Sequence, residues 1–351
     1  MSGHQMQKFK ECLSFDDVLL TPQMSNITSR KEIDLTSKLG PHRFVMPIIS
    51  SPMDTVTAEA MTISCLSAGA MGVLHRYNTI SEQVVMVHNI RDHFEMLSSD
   101  KANAIAAAIG VSGDLTERAT KLFHAGSKIF CVDVAHGHHT LVERALKTLR
   151  DKFGDSVTII AGNVATPESY IDLSAWGASA VRVGIGGGSI CSTRIETGHG
   201  VPTFQSVFDC ATADADAAII ADGGIKKTGD IVKALAAGAD FAMLGSMLAG
   251  TDESPGDCKT IAGQVVKTYR GMASVEAQEA WRGSARSLEG ISATVPHKGP
   301  VKEVLKKIDQ NIRSGLSYSG AKNLKELRHR AKFIKQTPAS QVESNTHILL
   351  K

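Results

Sequence analysis

The sequence predicts an α/β protein, a single (β/α)8 TIM barrel, and three observations favour this fold. Eight short apolar segments recur along the 351 residues, helix-like stretches separate them, and polar residues collect where the segments end. Continuous apolar runs of this length are typical of parallel strands that are buried on both faces. A doubly wound open sheet shares this alternation. The count of eight, and the lack of an early Gly-x-Gly-x-x-Gly motif, favour the barrel.

The elements follow one another regularly between about residues 47 and 247. The predicted strands are Pro47–Met53, Gly69–His75, Ala104–Gly110, Lys128–Ala135, Thr158–Val164, Ala180–Gly186, Ala218–Gly224 and Phe241–Met247. The predicted helices are Ala58–Ser67, Thr116–Ala125, Thr140–Phe153, Pro167–Trp176 and Asp230–Ala237. Several of them begin near a Ser, Thr or Asp and end before a glycine, as helices commonly do. A flap at about 271–299 and a charged C-terminal tail at 312–351 complete one expected domain over residues 1–351.

Composition favours a soluble, cytoplasmic protein. The net charge of +2 gives no indication of a nucleic acid or a membrane surface as a partner. Six cysteines lie far apart in the chain, which indicates reduced thiols rather than disulfides or a zinc site. The N-terminus lacks the apolar core of a signal peptide, and no apolar run is long enough to span a membrane.

Residues 184–194 form a glycine-rich run around one cysteine, GIGGGSICSTR. Glycine lets backbone N–H groups approach an anion closely, and successive N–H groups form an anion-binding concavity. Cys191 is therefore a candidate nucleophile, with Thr193 and Arg194 as its nearest polar neighbours. Such a run alone is more often a structural loop. The polar residues that end the other predicted strands make the functional interpretation the better one.

A phosphate site is predicted at the ends of the last strands. Asp222, Gly223 and Gly224 follow the seventh strand, and Gly245 and Ser246 follow the eighth. Barrel enzymes commonly hold a phosphate with these two loops. Ser189 adds a hydroxyl from the cysteine loop, and the carboxylate of Asp222 can accept hydrogen bonds from ribose. Tight turns without a ligand remain an alternative for the glycine pairs.

Eight ordered motifs resemble the IMP dehydrogenase/GMP reductase family over nearly the whole chain. They lie at residues 13–20, 51–57, 133–137, 161–166, 184–194, 221–224, 269–272 and 295–299. The paired regulatory CBS domain that is commonly inserted in IMP dehydrogenases is missing. The resemblance implies a purine nucleoside monophosphate as the substrate.

In this family the residue that matches Cys191 forms a covalent thioimidate with C2 of the purine. The resemblance implies that Thr193 and Glu289 form a dyad that moves protons. The implied substrate-binding residues are Ser189, Asp222, Gly223, Gly224, Gly245, Ser246, Gly271, Met272, Ala273, Arg286 and Gly290. In the reductases ammonia leaves GMP and NADPH reduces the adduct to IMP. In the dehydrogenases IMP gives its hydride to NAD, and water hydrolyses the adduct.

The same resemblance implies a nicotinamide cofactor, an ion and an assembly. The implied cofactor-binding residues are Ser29, Arg30, Arg76, Asp133, Val134, Ala135, Ile185, Gly186, Met272, Ser314, Ser317 and Tyr318. Ser29 and Arg30 match contacts to the extra phosphate of NADPH. The last three match residues that complete a neighbour's site, which implies a homotetramer. The carbonyl groups of Gly186, Gly188, Cys191 and Arg194 match a potassium site.

The flap favours the reductase branch. Only fourteen residues, Val275 to Leu288, separate Ser274 from Glu289, and none is a tyrosine. Dehydrogenases of the family resemble one another in a long flap whose Arg-Tyr pair activates water. Other residues depart from the reductase pattern: Arg76 replaces a lysine, Gly187 replaces a proline, and residues 51–52 and 269–272 resemble the dehydrogenases. We therefore expect an NADPH-dependent GMP reductase. The alternatives are an IMP dehydrogenase without its regulatory domain and a catalytically retired nucleotide-binding barrel.

Overall fold

Short strands and helices alternate through the computed structural model, which describes residues 9–286 and 288–346. The strands are β1 (Val18–Leu20), β2 (Ser37–Leu39), β3 (His42–Phe44), β4 (Ile48–Ser50), β5 (Met71–Leu74), β6 (Ala106–Ile109), β7 (Ile129–Asp133), β8 (Thr158–Val164), β9 (Ala180–Val183), β10 (Ala218–Asp222), β11 (Phe241–Leu244), β12 (Lys259–Ile261), β13 (Gln264–Arg270), β14 (Ser292–Pro296) and β15 (Phe333–Lys335). The α-helices are α1 (Glu59–Ser67), α2 (Ile80–Met96), α3 (Leu115–Ala125), α4 (Thr140–Phe153), α5 (Pro167–Ala175), α6 (Thr193–Thr197), α7 (Thr203–Cys210), α8 (Thr228–Ala236), α9 (Val275–Arg282), α10 (Val301–Tyr318), α11 (Leu324–Arg330) and α12 (Pro338–Glu343).

Strands β4 to β11 close into a parallel barrel in chain order, and β11 pairs back to β4. In that closing pair Ala242 lies beside Ile48 and Leu244 beside Ser50. The predicted (β/α)8 TIM barrel is confirmed, and each of the eight strands lies inside the segment predicted for it. No domain is inserted between barrel strands in the part of the chain that the structure describes.

The strands and most helices follow the residue patterns that predicted them. Strands β5, β6, β9 and β11 are buried along their whole length, as the apolar runs predicted. Each of the five predicted helices is present within two residues of its predicted ends. No predicted helix corresponds to α7. Six of its eight residues are buried, including the polar Thr203, Gln205 and Ser206.

The region after β11 folds against the barrel. Strands β12, β13 and β14 form an antiparallel sheet, and α9 lies in the predicted flap between β13 and β14. Residue 312 is not a boundary, because Ile312 is fully buried in the middle of α10. The segment predicted as a charged tail instead packs helices α10 and α11 against α8 and pairs β15 with β1. Within the described residues, no helix has both the length and the apolar character needed to cross a membrane.

Candidate active site

A cavity of about 780 Å³ opens at the carboxyl ends of the barrel strands. Its walls come from the loops after β4, β5, β7, β9, β10 and β11 and from the flap. The residues predicted from the sequence that line it are Arg76, Asp133, Val134, Ala135, Ile185, Gly186, Gly188, Ser189, Cys191, Thr193, Arg194, Asp222, Gly223, Gly224, Gly245, Ser246, Gly271, Met272, Ala273, Arg286 and Glu289. Gly290 lies beside them, because it pairs with Cys191 in an isolated antiparallel bridge.

Three side chains form a chain of hydrogen bonds on one wall of this cavity. Cys191 Sγ donates to Thr193 Oγ1 over 3.1 Å, and Thr193 Oγ1 donates to Glu289 Oε2 over 2.8 Å. Backbone hydrogen bonds from Ser192 to Glu289 and from Ile291 to Ile190 hold the end of the flap against the cysteine loop. A proton can therefore pass from the thiol through the hydroxyl to the carboxylate, which leaves a thiolate.

Two glycine-containing turns, one of them in the cysteine loop itself, pack backbone to backbone beside this wall. A Cβ at Gly223 would lie 3.0 Å from Gly188 N, so only glycine allows the two loops this approach. The hydroxyls of Ser189 and Tyr269 lie 3.3 Å apart above the turns. Burial raises the pKa of Tyr269, which keeps its phenol protonated and able to donate. Backbone N–H groups and two hydroxyls thus form a concavity that suits a phosphate.

A row of charges crosses the barrel at the wall of the cavity. Arg182 bonds both Asp133 and Asp222, with Nη2 2.9 Å from Asp222 Oδ2. Asn163 donates to the same oxygen over 2.8 Å, and Arg76 Nε lies 3.4 Å from Asp133 Oδ2. Among the described residues Asp222 Oδ1 makes no hydrogen bond. It therefore stays available to a ribose hydroxyl.

The charges in this row stabilise one another. Burial alone would raise the pKa of Asp133, but the guanidinium groups of Arg182 and Arg76 outweigh it and lower that pKa. Burial likewise opposes the charge of Arg182, and Asp222 and Asp133 reverse that effect and raise its pKa. Arg182 was not predicted from the sequence as part of the site. The signal was present, since an arginine inside a buried strand is rarely unpaired.

The flap is held to the barrel by side chains that were also not predicted from the sequence. Helix α9 begins at Ser274, whose hydroxyl accepts a hydrogen bond from Ala277 N. Near its end, Trp281 stacks on Tyr77 at a centroid distance of 6.0 Å. At its base, Arg270 Nε donates to Asp54 Oδ2 over 3.0 Å. These contacts place the flap across the cavity.

Five predicted cofactor residues lie outside the cavity of this chain. They are Ser29, Arg30, Ser314, Ser317 and Tyr318. Ser29 caps the 3-10 helix Arg30–Glu32, which packs against α10, so all five lie on neighbouring segments. Ser29 and Arg30 do not reach the cavity because this segment is held to α10 by the bond from Arg313 to Ile33 O. A role for these residues in a neighbouring subunit stays a prediction.

The predicted potassium site lies on the cysteine loop. Gly188 O accepts a hydrogen bond from Cys191 N over 3.1 Å, and Arg194 O accepts one from Gly198 N over 3.2 Å. A carbonyl oxygen retains a second lone pair after one such bond, so both oxygens could still bind an ion. Potassium on this loop stays a prediction. No three His, Cys, Asp or Glu side chains cluster as a metal site among the residues that the structure describes.

Comparisons with known proteins agree with this geometry. A family model described as the IMP dehydrogenase/GMP reductase domain matches residues 12–347. An inosine-5′-monophosphate dehydrogenase from Nitrosopumilus maritimus is 34% identical over 98% of this chain and 99% of that protein. The same enzyme from Bacillus subtilis is 32% identical over 96% of each. A solved structure of GMP reductase from Trypanosoma brucei, in complex with guanosine 5′-monophosphate, superposes with a TM-score of 0.90 at 29% identity, covering 97% of this chain and 99% of that one.

Proposed function

Because the chain belongs to the IMP dehydrogenase/GMP reductase family, we propose that it is an NADPH-dependent GMP reductase. It would replace the amino group at C2 of GMP with hydrogen and release IMP and ammonia. The observation that carries the proposal is the chain from Cys191 through Thr193 to Glu289, which faces the cavity. It connects the nucleophile to a carboxylate that can accept and return a proton, and the reductive reaction needs no activated water.

The covalent step follows from this chain. Glu289 receives the thiol proton through Thr193, and the sulfur of Cys191 adds to C2 of the purine. The dyad returns the proton to the amino group, so that the C2–N bond breaks and ammonia leaves a thioimidate on Cys191. A reduced nicotinamide held by residues such as Asp133 and Met272 would supply the hydride that replaces the amino group at C2. As the C–S bond then breaks, Cys191 takes back the bonding electrons and regains its thiolate. Proton transfer of this kind is worth about 10²–10⁴-fold in rate.

The other walls of the cavity would bind the two nucleotides. Ser189, Gly224 and Ser246 would hold the phosphate of GMP, Asp222 the ribose, and Arg286 and Gly290 the purine end. The cavity continues past Cys191 to Arg76 and Asp133. That extension fits a nicotinamide cofactor. The residues that would hold it are Asp133, Val134, Ala135, Ile185, Gly186 and Met272.

We also propose the finer features that accompany this activity in the family. They are a homotetramer, in which Ser314, Ser317 and Tyr318 reach a neighbouring cofactor site, a potassium ion on the cysteine loop, and a cytoplasmic location. The exposure of Tyr318, 66% of its surface, is consistent with a contact to a second copy.

An IMP dehydrogenase is the second candidate. The curated relatives named above are IMP dehydrogenases, and Arg76 stands where the reductases resembled here carry lysine. Arginine cannot release its proton, so it could not take the place of a lysine in a proton transfer. Against this candidate, the flap from Val275 to Leu288 has no tyrosine to pair with an arginine in activating water.

The deciding experiment supplies both substrate pairs. Purified protein is mixed with GMP and NADPH, and in parallel with IMP and NAD, while the absorbance of reduced nicotinamide is followed. We expect NADPH to be consumed only with GMP, IMP to form, and Cys191→Ala to abolish both. Mass spectrometry of protein trapped with GMP should find an adduct on Cys191. Formation of NADH from IMP alone would establish the dehydrogenase. Nucleotide binding without turnover, at an affinity unchanged by Cys191→Ala, would instead indicate a retired barrel.

A further inference from the structure

Two arginines of the flap carry charges that no carboxylate balances. Arg282 and Arg286 both line the cavity, and neither forms a salt bridge within residues 9–286 and 288–346. Arg182 and Arg76, by contrast, are paired with aspartates. Uncompensated guanidinium groups at the wall of a concave site attract an anion, and phosphate matches their planar donor geometry.

One buried amide holds the side chain of Arg282 and the backbone of Arg286. Gln278 is only 1% exposed, and its Nε2 donates to Ala273 O over 3.0 Å. This bond orients Oε1, which accepts hydrogen bonds from Arg286 N over 2.9 Å and from Arg282 Nη2. An amide is neutral, so it positions the guanidinium of Arg282 without cancelling its charge. The side chain is thereby oriented in advance for a ligand.

The surroundings of Arg282 extend this cationic surface. Its neighbour Trp281 stacks on Tyr77, and the guanidinium of Arg76 lies 5.5 Å from the centre of the Tyr77 ring. Arg76 is only partly neutralised, because Asp133 is shared with Arg182. Arg76, Tyr77 and Arg282 all line the cavity and form its rim next to the end of β5.

This rim lies away from the glycine turns that suit the substrate phosphate. Strand β5 is four places from β9 in the closed ring of eight strands, and thus on the opposite side of the barrel. The cysteine loop and its glycines follow β9. A phosphate bound at Arg282 would therefore belong to a second nucleotide rather than to the one whose C2 meets Cys191.

We propose that Arg282, positioned by Gln278 and flanked by Arg76, binds a phosphate group of the nicotinamide cofactor. The inference rests on the proposed function for the identity of that cofactor. Both the diphosphate and the ribose 2′-phosphate of NADPH can accept hydrogen bonds from a guanidinium, and comparing NADPH with NADH distinguishes them. Bidentate contact from a preoriented guanidinium would make Arg282 a determinant of cofactor affinity.

The test is equilibrium binding without turnover. NADPH and NADH are titrated separately into the full-length protein while tryptophan emission, to which Trp281 contributes, is followed. We expect Arg282→Ala to raise the dissociation constant for NADPH about tenfold or more. Arg282→Lys should restore part of that loss, and Gln278→Leu should produce a smaller loss of the same kind. Arg144→Ala, an exposed arginine on α4 outside the cavity, is the matched control and should bind NADPH like the wild type.

The two cofactors distinguish the phosphates. A loss of affinity confined to NADPH assigns Arg282 to the 2′-phosphate. An equal loss of affinity for NADH assigns it to the diphosphate. Unchanged affinity for both cofactors in Arg282→Ala would overturn the proposal. So would an equal loss of affinity for GMP, because Arg282 would then serve the substrate site or the fold. Since no turnover is needed, NADPH affinity that depends on Arg282 would stand even if GMP were not reduced, in which case the proposed function alone would fail.

Discussion

Thr193 Oγ1 lies 2.8 Å from Glu289 Oε2, although the two residues are 96 positions apart in the chain. The contact exists because the chain leaves the antiparallel sheet after β13 and returns to pair with the cysteine loop at Gly290. The hydroxyl also receives the hydrogen bond from Cys191. One threonine therefore connects the nucleophile of the barrel to the carboxylate of the flap.

Breaking this connection at the hydroxyl or at the carboxylate should slow turnover without weakening nucleotide binding. We expect Glu289→Gln and Thr193→Val to lower kcat by about 10²–10⁴-fold, the usual value of general acid–base catalysis. Thr193→Ser keeps the hydroxyl and should retain most of the activity. Steady-state rates with GMP and NADPH, together with the dissociation constant for GMP, provide the measurement. A Thr193→Val enzyme as fast as Thr193→Ser would mean that the hydroxyl does not carry the proton.

The barrel was predictable from the sequence, whereas the charge row inside it was not. Buried parallel strands produce apolar runs that are visible in the chain, and all eight were found. Arg182 lies within one of these runs, and its partners Asp133 and Asp222 come from strands two places before and one place after its own. Only the closed barrel brings the three together. A single charged residue in an apolar run was the sole indication.

That row should contribute strongly to stability. Arg182→Met leaves Asp133 and Asp222 buried without their shared cation, which typically costs about 3–5 kcal/mol. Urea denaturation should therefore show a lower midpoint. Adding Asp133→Asn and Asp222→Asn to that variant should recover part of the loss, since the uncompensated charges disappear. Arg144→Ala, on the surface, should stay within about 0.5 kcal/mol of the wild type. An Arg182→Met variant with the same denaturation midpoint as the wild type would show that the two carboxylates find other partners.

The row also predicts how stability responds to acid. The folded pKa of Asp133 lies below its ordinary value of 3.8, because Arg182 and Arg76 favour the carboxylate. The contribution of Asp133 to the free energy of unfolding is therefore fully present above pH 3.8 and is lost as the pH falls through the folded pKa. The free energy of unfolding should fall less steeply below pH 3.8 in Asp133→Asn than in the wild type. Denaturation midpoints measured across this window provide the test. The exposed Asp257→Asn should keep the wild-type slope, and identical slopes for Asp133→Asn and the wild type would contradict the assignment.

Only part of the flap could be predicted from the sequence. Its length and its lack of tyrosine were visible in the sequence, and Glu289 could be matched to a family position. The anchoring contacts of Gln278 and Trp281 were not readable, because they depend on where α9 lies on the barrel. Ser29 and Arg30 illustrate the opposite case. A motif match assigned them to a cofactor, while their place beside α10 leaves them outside this chain's own cavity.

Gly187 and Thr203 should be energetically coupled. A Cβ at Gly187 would lie 2.5 Å from Thr203 Oγ1, a buried hydroxyl with no hydrogen-bond partner among the described residues. Gly187→Ala should therefore destabilise the protein by about 1–3 kcal/mol through overpacking. Thr203→Ala removes the obstructing oxygen and leaves no donor behind, so it should cost less.

In the Thr203→Ala background the cost of Gly187→Ala should shrink by about 1 kcal/mol, within the range measured for residues in contact. Denaturation midpoints of the wild type, the two single variants and the double variant give the coupling energy. Gly229→Ala is the matched control, since a Cβ there meets nothing within 4 Å and should not couple to Thr203. Additive effects of the two substitutions would mean that the loop shifts to accept the methyl group. In that case Thr203 would not be the reason that the chain carries glycine where the family pattern has proline.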